Sequence, residues 1–416
     1  MRELEFVRRV HTAGGRVAIV GGWVRDSLRG ETPKDKDYVV VGLDETAFLS
    51  SFPEAQKVGR AFPVFLLRID GKSSEIALAR TERKTGKGYR GFAARADGYV
   101  TLEEDLSRRD TTMNAMALEL FPDGRASVLI DPFGGEKDIR QGWIRAISDC
   151  FLEDPVRALR AARQAAVFGY TIEPHTVELM RACREELIGE PQERILGELS
   201  RALAAPRPSA FFRALLDANL LDAVFPELFA LIGKTQPKDF HPEGDAFEHT
   251  MTMVDVVAGR TEDIAARFAA LVHDLGKGMT PIDMLPHHYD HEKRGIEALA
   301  AWDARMTLPK LWRRVAEFVI AEHMRAPRLK KPKKIAALIV ALSKLPIPAR
   351  EVLYVFEADH VGLPPYLARY DELAEKVLAI GGNDAPETLK GKEIGMWIEA
   401  QRARCVKETM REWINI

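Results

Sequence analysis

The sequence predicts an N-terminal α/β domain followed by a mostly α-helical remainder. Three observations carry this reading. Short β-branched runs bounded by turn residues recur up to about residue 130, the character changes at Asp131-Pro132, and from Asp149 onward apolar positions return at helical spacing, as in Val156, Leu159, Ala162 and Ala166. Strands that alternate with short helices over about 130 residues point to a mixed sheet with helices.

The elements follow in order. Residues 1–15 interleave charge with apolar residues, lack a continuous apolar stretch and a small-residue cleavage site, and read as a cytoplasmic helix. Strands are expected at 17–20, running into Gly21-Gly22, and at 38–41, then at 64–69, 74–79, 115–120 and 128–130. Asp154 suits a helix N-cap with Pro155 at the first helical position. Pro206 and Pro208 separate two helical stretches, and residues 233–237 read as a linker.

The 416 residues hold 60 Lys+Arg against 62 Asp+Glu, a net charge of −2, so the total gives no sign of a polyanionic partner. At roughly 100 to 200 residues per domain, this length suggests two to four domains. An apolar content of 46% with 29% charged residues excludes wholesale disorder, and no apolar run reaches the length of a membrane-spanning helix. Three cysteines, Cys150, Cys183 and Cys405, are widely spaced and support neither a disulfide framework nor a thiolate metal site.

Two constellations carry chemistry. In the first, Gly21-Gly22 follows a strand and precedes Arg25 and Asp26, where backbone amides and a guanidinium can meet phosphate. A glycine pair after a strand also serves as a plain tight turn. Asp35 and Asp37 lead into the run YVVV, and if both begin that strand its period of two puts their carboxylates on one face. Two hard oxygen ligands suit Mg²⁺, which keeps waters and takes substrate phosphates, whereas DxD by itself is also a common solvated turn. Arg108-Arg109-Asp110 stands four residues before Asn114, and Arg157, Arg160 and Arg163 share one side of a helix with no acid among them, a donor array suited to bases and phosphates.

The second constellation is a concentration of histidine. His241, His249, His273, His287, His288, His291 and His323 make up seven of the ten, and Asp274 adjoins His273. Imidazoles mixed with carboxylates suit a transition-metal site with an open coordination position. Downstream, Arg325, Arg328, Lys330, Lys331, Lys333, Lys334, Lys344 and Arg350 form a basic run without any Asp or Glu, either a solvated face or an RNA-backbone contact.

Taken together, Gly21-Gly22-x-Val24-Arg25-Asp26, Asp35-x-Asp37, Arg108-Arg109-Asp110-x-Thr112-x-Asn114 and Glu153-Asp154-x-x-Arg157 resemble the four motifs of the class II tRNA nucleotidyltransferases, the CCA-adding enzymes. The resemblance implies a nucleotidyltransferase head of the polymerase β superfamily over 1–135, a neck over 136–205, a body over 206–236, an HD phosphohydrolase domain over 237–365 and a helical tail over 366–416. It implies that Asp35 and Asp37 hold Mg²⁺, with Glu75 the candidate third acid. Gly22, Arg25 and Arg109 would meet the triphosphate, Asp110 and Asn114 would complete that motif, and Asp154 and Arg157 would read the edges of CTP or ATP. Arg160 and Arg163 would add nucleotide contacts.

The same resemblance makes tRNA the partner and CCA addition the activity, with A-adding, CC-adding and poly(A)-polymerase enzymes, or a binding head beside a working hydrolase, as alternatives. The glycine-rich basic stretch Arg83–Gly91 and the segment Gly59–Phe65 resemble the CCA-adding branch, while Thr111 and Met113 stand where that family usually has bulkier apolar residues. His273-Asp274 resembles the HD signature, whose ligands would be His249, His273, Asp274 and Asp359 around Ni²⁺, Co²⁺, Mn²⁺ or Fe²⁺, with His287, His288 and His291 as outer groups or substrate contacts. Cyclic phosphodiesterase, 2′-nucleotidase and phosphatase activities would follow, in a cytoplasmic monomer or homodimer.

Overall fold

A computed structural model describes all residues except 60–62, 85–91, 96–97, 238–243, 361 and 415–416. Parts of the 59–65 and 83–91 segments, and His241, therefore lie outside the described residues. The chain divides into two compact units, one of residues 1–198 with 210–224, the other of 199–209 with 225–416.

The first unit is built on a mixed sheet. Its strands are β1 (Arg16–Val20), β2 (Asp37–Val41), β3 (Gln56–Val58), β4 (Val64–Ile69) and β5 (Lys72–Leu78). A separate hairpin follows, formed by β6 (Thr81–Lys84) and β7 (Phe92–Arg95), and β8 (Ala117–Leu120) and β9 (Val128–Ile130) complete the sheet. The order across the sheet is β3-β4-β5-β2-β1-β8-β9, in which β2 and β5 run parallel and every other pair runs antiparallel. Six of these strands stand where the sequence predicts them. β3 and the hairpin do not, because segments of three or four residues give little alternation to read.

β1 and β2 are buried on both faces, which explains why their sequences are continuous apolar runs and do not alternate. Ala18, Val20, Val39 and Val41 point to one core with Leu102, Leu106 and Ala115. On the other face, Phe65, Phe48, Phe52 and Phe6 form a chain of tilted rings with centroids 4.8–5.3 Å apart, and Phe6 meets Tyr38 edge-on at 5.5 Å. Phe6 comes from helix α1 (Glu3–Thr12), and α2 (Gly22–Leu28) leaves the end of β1 through Gly21. Helix α3 (Glu45–Ser51) carries Phe48, and α4 (Leu102–Ser107) begins with a capping box in which Thr101 and Glu104 satisfy each other's backbone amides. Helix α5 (Gly135–Gln141) precedes α6 (Val156–Phe168), which stops at Gly169 with φ 69°.

Among the described residues, every named element of the second unit is a helix. At its centre the helix Ile264–Val272 is buried on all sides from Ala265 to Val272, packed by the helices Ala246–Ala258 and Lys310–Glu322. Phe268 lies between Trp312 and Trp302, with centroid separations of 5.1 and 5.8 Å. The long helix Lys392–Ile414 lies along Pro332–Ser343 and Tyr370–Ala379. Among the described residues, no helix is long and apolar enough to cross a membrane.

Phe268 is fully buried at the middle of the helix that ends in His273 and Asp274. Phe268→Ala should cost about 3–5 kcal/mol through the missing ring packing and the cavity left behind, read as a lower denaturant midpoint with an unchanged slope.

Candidate functional site

In the first unit the functional side chains gather at one end of the sheet. Val20 at the end of β1 pairs with Asp37 at the start of β2, and Asp37 in turn pairs with Glu75 on β5. Gly21 follows Val20 with φ 71°, a conformation open to glycine, and a Cβ there would lie 3.1 Å from Arg109 Nη1. The glycine thus lets an arginine approach the backbone. Asp35 falls just ahead of β2 and outside the strand, so the expectation that both carboxylates begin the strand holds for Asp37 alone.

A cavity of about 390 Å³ opens at this end, lined by Gly21, Gly22, Arg25, Asp37, Arg108, Arg109, Asp110, Asn114, Asp154, Arg157, Arg160 and Arg163. Six arginines against three aspartates make it a site for anions. Every nucleotide-binding residue expected from the sequence lines it. Asp35 lines a smaller neighbouring cavity of about 240 Å³ beside Trp23, Lys34 and Lys72, and Glu75 lines neither.

Asp110 organises this cavity. Its buried carboxylate accepts from Arg160 Nε at 2.8 Å, Asn114 Nδ2 at 2.9 Å, the Thr111 amide at 2.8 Å and Gln164 Nε2 at 3.2 Å. Burial alone would raise its pKa, but the Arg160 charge and these donors bring it down to about 2. Asn114 Oδ1 then accepts from Arg25 Nη1 at 2.7 Å, while the rest of that guanidinium forks onto Asp26 and lies 4.6 Å from the Phe168 ring. Arg108 and Arg109 both pair with the buried Asp105. Thr111, the departure from the usual family residue, donates from its buried hydroxyl to Gln164 Oε1 at 3.0 Å.

Acids from other elements therefore answer the arginines of α6, although none lies among them in sequence. Arg160 has Asp110, and Arg163 Nε lies 2.6 Å from the buried Glu198. Arg157 is buried and donates to the carbonyls of Cys150 and Arg108. Asp154 receives Arg194 Nη2 at 2.8 and 3.0 Å, and Arg194 is itself held by Glu190. Sequence reasoning misses Arg194, Glu190 and Glu198 because no local spacing links them to α6. The run QER at 192–194 carries no signal beyond an amphipathic helix.

Desolvation in the cavity and then the charge of Glu75 push the Asp37 carboxyl up, Arg109 pulls it down and Asp35 pushes it up again. Asp37 still reaches solvent, so the desolvation is partial. Three carboxylates that repel one another next to an anion-binding cavity fit a divalent cation.

In the second unit four helix ends converge. His249 stands in the helix Ala246–Ala258, His273 and Asp274 close Ile264–Val272, His291 opens His291–Met306, His323 closes Lys310–Glu322, and Asp359 ends Ala349–Asp359. Gly276 is required here, since a Cβ would stand 1.9 Å from the His291 carbonyl oxygen. His249 Nε2 lies 3.2 Å from Asp359 Oδ1 and 3.9 Å from Asp274 Oδ2, and His273 Nε2 lies 3.2 Å from Asp274 Oδ2. The four ligands expected from the sequence thus come together.

His291 and His323 join them from the other side of the carboxylate, at 3.4 and 3.5 Å from Asp274 Oδ1. Burial would raise the Asp274 carboxyl, but Lys277 and His273 hold it well below the usual carboxylate range. His273 Nε2, Asp274 Oδ1 and Asp359 Oδ2 are buried without a hydrogen bond, the state of a donor set shaped for a metal ion, while Asp274 Oδ2 is ion-paired with Lys277 Nζ at 2.5 Å. His287 and His288 stay outside the cluster, His288 being bonded to Thr280 and the Thr235 carbonyl.

Three segments match family models: residues 17–145 a poly A polymerase head domain, 169–232 a probable RNA and SrmB-binding site of polymerase A, and 246–361 an HD domain. The chain is 40% identical over 411 residues to the multifunctional CCA protein of Xanthomonas campestris pv. campestris, covering 94% of this chain and 98% of that one. It is 41% identical over 413 residues to that of Thioalkalivibrio sulfidiphilus, covering 95% and 98%. This chain belongs to the multifunctional CCA protein family. The CCA-adding enzyme of Bacillus stearothermophilus, solved in complex with CTP, shares its fold at TM-score 0.69 and 24% identity over 98% of this chain and 92% of that one. Members of the family are enzymes, and both the nucleotidyltransferase and the HD classes depend on metals.

The Asp110 carboxyl gives a pH signature. Its pKa is depressed in the fold, so its stabilisation is present above the unfolded value near 3.8 and disappears as pH falls through about 2. Asp110→Asn should therefore lower unfolding free energy by roughly 2 kcal/mol above about pH 4. Denaturant titrations of both proteins at lower pH should show that gap closing.

Proposed function

We propose that this chain adds CCA to the 3′ end of tRNA from CTP and ATP in the cytoplasm, and hydrolyses phosphate esters at a second, independent site. The observation that carries the first activity is the arginine-lined cavity at the sheet end where Asp37 and Glu75 stand side by side. Residues 1–135 form the head of this reading, 136–205 the neck, 206–236 the body, 237–365 the HD domain and 366–416 the tail.

The geometry supports the following roles. Arg25 and Arg109 face the glycine turn and bind the triphosphate, with Gly21 and Gly22 keeping that wall open. Asn114 and Asp110 hold Arg25 and Arg160 in fixed orientations, so the cavity is set before the nucleotide arrives. Asp154 and Arg157 present an acceptor beside a donor to the base edge, with Arg194 fixing the acceptor. In the transfer, the tRNA 3′ oxygen bonds to the α-phosphorus as the bond to the β-phosphate oxygen breaks and pyrophosphate leaves.

Asp35, Asp37 and Glu75 are the candidate holders of Mg²⁺, which supplies activation of the attacking hydroxyl and neutralisation of the leaving charge. In the HD site, His249, His273, Asp274 and Asp359 suit a divalent transition metal such as Ni²⁺, Co²⁺ or Mn²⁺, because imidazole donors accompany the carboxylates. A 2′,3′-cyclic phosphate, a 2′-nucleotide and other phosphomonoesters are the substrates of this second reading.

Two substitutions separate the activities. Asp35→Ala should abolish incorporation of labelled CTP and ATP into tRNA lacking its 3′ end while leaving hydrolysis of a 2′,3′-cyclic nucleotide intact, and Asp274→Ala should do the reverse. Loss of both activities in either variant counts against two independent sites, and a product of A alone, or a long A tail, moves the head to the alternative chemistries.

The basic run of 325–350 is the proposed tRNA backbone contact, since all eight of its cations are exposed. Two of them have acidic neighbours from outside the run, Arg325 with Glu322 and Lys333 with Glu399. Replacing Lys330, Lys331, Lys333 and Lys334 by Ala should weaken tRNA binding and make the dependence of log affinity on log salt shallower, by about one unit of slope for each phosphate no longer neutralised. An unchanged slope removes this surface from the binding site.

A further inference from the structure

The loop that leads into His291 carries two rings that the cluster around Asp274 does not use. His287 and Tyr289 stack on each other, with centroids 5.8 Å apart and planes 28° from parallel. Tyr289 is 62% exposed, and Met279 and Ile282 in the same loop are exposed as well. Aromatic and apolar side chains left in water bring little to folding, so a group of them beside a buried polar pocket marks a surface that meets a ligand. We propose that His287 and Tyr289 form a stacking platform for the nucleobase of a ribonucleotide whose 2′- or 3′-phosphate enters the pocket of His273 and Asp274. This rests on the reading of that pocket as a phosphohydrolase site.

The residue between the two rings holds the platform still. His288 is engaged at three points: its Nδ1 lies 2.8 Å from Thr280 Oγ1, its Nε2 lies 3.0 Å from the Thr235 carbonyl, and its own carbonyl lies 2.8 Å from His291 Nδ1. The His287 amide donates to the Met284 carbonyl at 2.9 Å. Asp290 then turns the chain with φ 54°: Tyr289 before it faces solvent, and His291 after it is buried with Nε2 3.4 Å from Asp274 Oδ1. A surface fixed in this way loses little freedom when a flat ligand lands on it.

The reach also fits. Two residues of chain span at most about 7 Å, the scale of the separation between a base and a phosphate on its own ribose. A base on Tyr289 therefore brings its ribose phosphate toward His291 and Asp274. Every base has a π-face, so stacking selects for the presence of a base without selecting among bases. The platform thus supplies binding and selectivity, and the bond breaking stays with the pocket.

Selectivity is the measurement that decides. Phosphate release by the full-length chain loaded with Mn²⁺ is followed from 2′-AMP and from glycerol 2-phosphate, which has the ester and lacks the base. The ratio of the two kcat/KM values should fall about tenfold in Tyr289→Ala, through a higher KM for 2′-AMP, and Tyr289→Phe should keep it, since the stacking of one base is worth on the order of tenfold. An unchanged ratio in Tyr289→Ala overturns the platform, including the case in which both substrates lose activity together, as a purely structural role requires. An oligoribonucleotide ending in a 2′-phosphate, run beside 2′-AMP, shows by whichever loses more to Tyr289→Ala whether the base arrives at an RNA end or free, and either outcome supports the platform. Equilibrium dialysis with labelled 2′-AMP reads binding apart from hydrolysis, and nucleotide held by the head is common to parent and variant. A parent that releases no phosphate from either ester, but whose affinity for 2′-AMP drops about tenfold in Tyr289→Ala, sinks the hydrolytic reading and supports the platform. Equal affinity in the two proteins overturns it.

Discussion

The contact between the buried Asp110 carboxylate and Arg160 governs the first unit. A carboxylate removed from water has to find donors, and Asp110 finds them on α6, on the backbone of Thr111 and on Asn114. Through Asn114 the network extends to Arg25 beside the glycine turn, and through Gln164 it returns to Thr111. One ionised group thus ties the sheet end, the short α2 and the long α6 into a single wall. The rigidity of the cavity follows, because each guanidinium in this network already has a partner and cannot swing away from the space it lines.

Much of this is legible in the sequence, for reasons that differ by residue. Asp37, Arg109 and Asp154 sit in short motifs whose spacing reports a turn or a helix start, and local geometry is what sequence encodes most directly. His249 and Asp359, 110 residues apart, are joined by resemblance and not by spacing. Arg194, Glu190 and Glu198 lie beyond reach of the sequence: Asp154 is 40 residues from Arg194 and Arg163 is 35 from Glu198, and an acid on an amphipathic helix looks the same whether it meets water or a buried arginine. His323 stands out in the sequence only as one histidine among several, because the fold alone brings the end of its helix to Asp274.

The near-equality of 60 basic and 62 acidic residues hides two different arrangements of charge. In the first unit, buried Asp105 pairs with both Arg108 and Arg109 while Asp110 and Glu198 each take one arginine, and with six arginines against three aspartates the cavity keeps a positive surplus for an anionic ligand. In the basic run of 325–350 no acid lies within the segment and all of the cations are exposed, which leaves their field to the solvent and to any polyanion that approaches. A total near zero is consistent with strong local fields.

The two sites also treat buried polar atoms in opposite ways. Around Asp110 almost every donor and acceptor is satisfied by protein, and that wall is complete as it stands. Around Asp274 the imidazoles are aimed by backbone carbonyls, the carboxylate is sealed from water, and lone pairs are left facing one another. Folding such a cluster opposes the stability of the unit, and the helix Ile264–Val272, buried on every side, is the element that holds it in place. The strength of that core and the number of unsatisfied donors it carries are therefore two sides of one requirement: a metal centre that exists before its metal must be held by packing alone.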